Sequence, residues 1–86
     1  MVTMDGHTRV DSRETLGRLI RAERKRRKLN QETLATSAGV AVGSLRHLER
    51  GDAPVTSDTL LRVTRALALD LFVVPRPRTS GFELLA

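Results

Sequence analysis

The stretch that decides the fold runs Gln31-Glu32-Thr33-Leu34-Ala35-Thr36-Ser37-Ala38-Gly39-Val40-Ala41-Val42-Gly43-Ser44-Leu45-Arg46-His47-Leu48-Glu49-Arg50-Gly51. Leu34, Ala35 and Ala38 recur at helical spacing, which predicts a helix over 31–38 with these three inward and Asn30 as its cap. Gly39 is its natural stop, because a residue without Cβ enters a left-handed turn without steric cost, and Gly39-Val40-Ala41 forms the turn. A second helix is predicted from about Val42 to Arg50, with Leu45 and Leu48 buried three apart and Gly51 ending it. Ala35 is small enough for the two helices to cross closely, while Val40 and Leu45 plug the angle between them. A bulky residue at position 35 is expected to break this arrangement.

Upstream, a helix is predicted to start at Asp11, with Glu14 three residues on reaching back in a capping box. Leu16, Leu19 and Ile20 form its buried stripe. Five cations from Arg24 to Lys28 follow, and Leu29-Asn30 ends the helix. Downstream, Pro54 makes 52–54 a loop. Thr56 or Ser57 then caps a fourth helix carrying Leu60, Leu61, Thr64, Leu67 and Ala68 on one face and ending near Leu69. Beyond it, Leu71-Phe72-Val73-Val74 is a short β-favouring run closed by Pro75. The chain therefore divides into an N-terminal arm (1–10), a helical domain (11–70), a strand (71–75) and a tail (76–86) that ends in the apolar Phe82-Glu83-Leu84-Leu85-Ala86.

Fifteen Lys and Arg against ten Asp and Glu leave a net charge of +5. Residues 11–50 hold ten of the cations and five of the acids, so the whole excess sits there. That distribution biases the segment toward a polyanion. The absence of cysteine excludes disulfides and thiolate zinc sites. Two isolated histidines and scattered carboxylates offer neither a metal-ligand spacing nor a nucleophile with its base, and no Gly-rich phosphate loop is present, so no enzyme, metal or cofactor is expected. No apolar run approaches the ~20 residues needed to span a bilayer, which points to a cytoplasmic location.

Gln31-Glu32-Thr33-Leu34-Ala35, then Gly39-Val40, Ser44-Leu45 and Leu48-Glu49-Arg50-Gly51, resembles the helix-turn-helix of the phage-repressor (Xre/Cro-type) family. The resemblance covers roughly 15–70, including Thr59-Leu60-Leu61 and Ala66-Leu67. It implies an all-α, lambda-repressor-like bundle of four to five helices that binds double-stranded DNA, with the third helix in the major groove. Carried over by position, Ala41, Val42, Gly43, Arg46 and His47 face the bases, and Arg46 suits guanine O6 and N7. An ion pair with Glu49 is the alternative for Arg46, and plain solvation is the alternative for His47. Val42 stands where the family has a polar residue, so thymine-methyl contact or DNA shape is its expected contribution. Gln31 and Ser44 match phosphate-binding positions, and Arg50 is a third phosphate candidate. Arg24 and Glu49 match a structural ion pair that ties the first helix to the third. The cations at 25–28 are either phosphate contacts or a solvated helix end.

A strand at Leu71, Phe72, Val73 and Val74 needs a neighbour for its backbone groups. Residues 8–10 or 82–85 are candidates. A ribbon shared by two copies is favoured, since it would make a homodimer with its reading helices about one DNA turn apart. Residues 66–74 also resemble the end of HipB-type antitoxins, which implies a HipA-like kinase toxin as a further partner. The resulting expectation is a dimeric repressor at a palindromic operator. The alternative is a protein-bridging transcription cofactor, favoured by the weakly polar Val42-Gly43 pair and opposed by any salt-dependent operator binding.

Overall fold

The computed structural model describes residues 7–76. Within them lie four helices: α1 (Arg13–Arg26), α2 (Gln31–Ala38), α3 (Val42–Arg50) and α4 (Ser57–Ala66). Residues 1–6 of the expected arm and 77–86 of the tail, including the apolar segment 82–86, lie outside the described residues.

Each helix begins where a side chain can satisfy early backbone N–H groups, with one exception. Ser12, not Asp11, caps α1 by accepting from the Thr15 N–H at 3.0 Å. This shift puts Glu14 one position too early for a capping box. Asn30 caps α2 by accepting from Thr33 N–H at 2.7 Å, and Thr56 caps α4 by accepting from Thr59 N–H at 3.1 Å. α3 has no side-chain cap, because Ala41 occupies that position. Its N-terminal backbone N–H groups are thus left without a side-chain acceptor from the cap position.

The helix ends divide into two kinds. Gly39 (φ 73°) and Gly51 (φ 66°) close α2 and α3 in the left-handed conformation. At the ends of α1 and α4 the left-handed residues are Lys28 (φ 60°) and Ala68 (φ 54°). In those two turns the N–H of Leu29 reaches the Arg24 carbonyl, and that of Leu69 the Thr64 carbonyl. α4 therefore stops at Ala66 rather than near Leu69.

The core consists of Ile20, Leu34, Ala35, Ala38, Leu45, Leu48, Val63 and Leu67, with Leu16, Leu29, Val40, Val42 and Leu60 packed on its margin. In α4 the inward row is Leu60, Val63, Thr64 and Leu67, an i, i+3, i+4, i+7 pattern. Leu61 falls one step off that row and is 48% exposed, and Ala68 lies beyond the helix end, so neither belongs to the face predicted for them. The buried Thr64 hydroxyl donates to the Leu61 carbonyl, which removes the cost of placing it in the core.

α1 packs on α3, and α2 packs on both α3 and α4. The α1–α3 contact is backbone to backbone at Gly17. A Cβ there would fall on the carbonyl oxygen of Glu49 and lie 2.5 Å from that of Leu48. Gly51 makes the reciprocal approach, since a Cβ on it would lie 2.7 Å from the Glu14 Cα.

Residues 71–76 show no regular secondary structure, so the strand expected at Leu71, Phe72, Val73 and Val74 is not formed in the single chain. The physical reason is the one that made it conspicuous: a strand has no ladder without a neighbour, and among the described residues none pairs with it, the candidate 82–85 lying outside them. His7 instead lays its ring on Phe72, with centroids 4.8 Å apart. Among the described residues no helix is long and apolar enough to cross a membrane.

Candidate nucleic-acid interface

α3 is two-faced. Leu45, Leu48 and Glu49 are buried, while Gly43, Arg46, His47 and Arg50 are exposed, with Ala41 exposed just before the helix. Val42 and Ser44 are half-buried at the edge of this surface. Around Gly43 there is open space, with nothing within 4 Å of a built Cβ, so its lack of a side chain is not a packing requirement. The surface at the start of α3 is consequently backbone and small side chains, with Arg46, His47 and Arg50 along its length.

Behind that face lies a polar network. Arg24 Nε and Nη2 donate to the two oxygens of Glu49 at 2.6 and 2.9 Å, and its Nη1 donates to the Leu29 carbonyl at 2.8 Å. The side chains are 9% and 2% exposed, so this planar fork lies in the interior and ties α1 to α3. The Glu49 carboxylate beside it pushes the Arg24 pKa up, against the opposing effect of burial. Among the described residues no buried side-chain polar atom lacks a partner.

Gln31 extends the network to the surface, a role that its position in the sequence does not reveal. Its Nε2 donates to Glu49 Oε1 at 3.1 Å, and its Oε1 accepts from Arg46 Nε at 3.3 Å. Arg46 Nη2 also donates to Glu32 at 3.2 Å. Glu49, the partner considered for Arg46, is consumed inside, and Glu32 takes its place. These contacts occupy one edge of the Arg46 guanidinium and leave three of its five N–H groups free for other acceptors.

The second acid that sequence reading passed over is Asp52. Its Oδ1 lies 2.9 Å from His47 Nδ1, and its Oδ2 lies 2.9 Å from Arg50 Nε. The hydrogen bond from His47 is the main cause that holds the Asp52 carboxyl below its ordinary value. Along α1, Arg26 and Arg27 both donate to Glu23, which brings the Glu23 pKa down to about 2. Part of the cationic run at 24–28 is thereby spent within the protein.

The helix-turn-helix family profile matches residues 20–74, more than half of the chain. No curated protein matches it. Among solved structures, the clp gene regulator ClgR from C. glutamicum is 34% identical, with 72% of this chain and 80% of that one covered at a TM-score of 0.62. The restriction-modification controller protein C.AhdI from Aeromonas hydrophila is 29% identical over 67% of this chain and 88% of its own, at a TM-score of 0.63. A chain of the HipA-HipB-O2-O3 complex shares the fold at a TM-score of 0.74 and 17% identity, covering 83% of this chain and all of that one. The matched segment spans the two helices, their glycine-closed turn and the exposed face of α3, and the chain belongs to the Xre/Cro-type helix-turn-helix family of DNA-binding transcriptional regulators.

Proposed function

We propose that this chain is a homodimeric repressor that reads a palindromic operator by laying α3 in the major groove. The observation that carries the reading is the division of α3 into a face locked in the core and a face of Gly43, Arg46, His47 and Arg50 exposed beside Ala41. Small residues at 41–43 let the helix start approach the base edges, with Val42 against a thymine methyl. Arg46, steadied by Gln31 and Glu32, keeps the end of its guanidinium for guanine O6 and N7. Ser44, Arg50 and the start of α2 at Gln31 serve the phosphates, where a helix N-terminus favours an anion.

One further feature supports a dimer. Leu61, Leu71, Phe72, Val73 and Val74 leave apolar surface exposed on one protomer, and a two-fold dimer that covers it would in turn call for a palindromic site. The narrower form of the proposal, a HipB-like antitoxin that also holds a HipA-like kinase, draws on the likeness to the HipA-HipB-O2-O3 complex, which at 17% identity carries the fold alone.

Genomic pull-down of the tagged protein, with sequencing of bound DNA and identification of co-eluting proteins, tests this. An enriched palindrome whose binding weakens steeply with salt is expected. A kinase-like protein in the same eluate would establish the antitoxin form. Partner proteins without enriched DNA would replace the proposal with the bridging-cofactor reading. On the recovered site, Arg46→Ala is expected to cost ~1–3 kcal/mol and relax preference at one base pair.

A further inference from the structure

Gly51 turns the chain back at the end of α3 and donates its N–H to the His47 carbonyl at 2.9 Å. Had the helix continued, Asp52 would stand about 140° around the axis from His47, out of reach. The left-handed turn brings it alongside, where Oδ1 meets His47 Nδ1 and Oδ2 meets Arg50 Nε, both at 2.9 Å. With one oxygen on each partner, the carboxylate cannot rotate without giving up a contact.

The chemistry of this contact fixes a proton. An ionised carboxylate only accepts, so the hydrogen between Asp52 and His47 resides on Nδ1. A neutral imidazole has a single N–H, which leaves Nε2 with a lone pair. We propose that Asp52 is a positioning residue for recognition, which makes His47 a hydrogen-bond acceptor toward DNA and so selects a base with an amino group, adenine (N6) or cytosine (N4), on the strand that lies under it. Guanine and thymine are disfavoured at that strand position, because guanine offers only the acceptors N7 and O6 and thymine only the acceptor O4 beside its methyl, their partners' amino groups lying toward the other strand. This inference rests on the proposal that α3 enters the major groove. It gives Asp52, an acid inside a cationic face, a purpose that charge alone would count as a defect.

Without Asp52 the ring is free to carry its proton on either nitrogen, to accept from an amino group or donate to guanine, and the selectivity is lost. The test has two readouts. In the free protein, at a pH where its own NMR titration shows the ring neutral, long-range proton–nitrogen NMR of His47 is expected to show Nδ1 protonated and Nε2 bare. In Asp52→Ala, whose substitution lies in an exposed loop, the two nitrogens are expected to move toward a tautomer average. Selection from randomised duplexes is expected to show about a threefold to tenfold preference for adenine or cytosine at one position. That preference should vanish in Asp52→Ala and in His47→Ala, with Asp52→Ala adding nothing in the His47→Ala background.

A wild-type ring protonated on Nε2, or a preference that survives Asp52→Ala, overturns the proposal. Wild-type protein with the expected tautomer but no affinity for any duplex would instead show that the DNA-reading function itself is wrong, and the proposal would fall with it.

Discussion

Glu49 accepts from Arg24 twice and from Gln31 once while its side chain is only 2% exposed, so it joins α1, α2 and α3 at one buried carboxylate. Truncating it leaves a guanidinium buried without a counter-charge. Glu49→Ala is therefore expected to lose ~3–5 kcal/mol in chemical denaturation. Arg24→Lys should also destabilise, since an ammonium cannot reproduce the planar fork. Positions 24 and 49 were legible through family resemblance, but the third member, Gln31, was not. Its amide turns inward because Glu49 has an acceptor site left over, a fact visible only once α1, α2 and α3 are assembled. Glu23 offers a check on the cationic run. Its pKa falls from 4.5 to about 2 on folding, so its contribution to stability is complete above about pH 4.5 and disappears as the pH drops through about 2. NMR titration of the Glu23 carboxyl should give a midpoint near the lower value, and Glu23→Gln should flatten the stability profile across that window. A midpoint in the ordinary carboxylate range would mean that Arg26 and Arg27 are free to meet phosphate.

Helix existence and order were readable in the sequence, and so were the helix ends that glycine marks. Gly39 and Gly51 terminate α2 and α3 where expected, because their left-handed geometry is what glycine is chosen for. Lys28 and Ala68 adopt the same geometry without the signal, and α1 and α4 consequently end earlier than the pattern suggested. Two other glycines separate fold from function. Gly17→Ala would drive a Cβ into the α3 backbone and is expected to cost at least about 1–3 kcal/mol despite improving helix propensity. Gly43→Ala meets open space, so it should raise stability by up to about 1 kcal/mol. If α3 lies in the groove, the same methyl should weaken operator binding by roughly tenfold, or about 1.4 kcal/mol. A variant both more stable and equally good at binding would place DNA elsewhere. Nothing in the local sequence distinguishes Gly17 from Gly43, since the difference lies in whether a second helix crosses there.

The assembled molecule leaves exposed the outer part of α3 and, separately, the apolar side chains of Leu61 and 71–74, with Leu61 and Leu71 lining one groove. The sequence marked residues 71–74 as unusual, yet their strand is absent from the single chain, because pairing is a property of two segments. A second copy covering this surface is expected to give sedimentation at twice the chain mass, and Phe72→Asp, which places a charge at that surface, should shift the mass toward the monomer. The central claim, that the exposed face of α3 is the DNA-reading surface, is tested most directly by following backbone amides as the recovered operator duplex is added to labelled protein. The expected result is that the largest shifts fall on residues 41–47 and on Gln31 at the start of α2, with α4 little changed except where protomers meet. Shifts concentrated on α4 and 71–74, with α3 silent, would mean that α3 does not read the DNA.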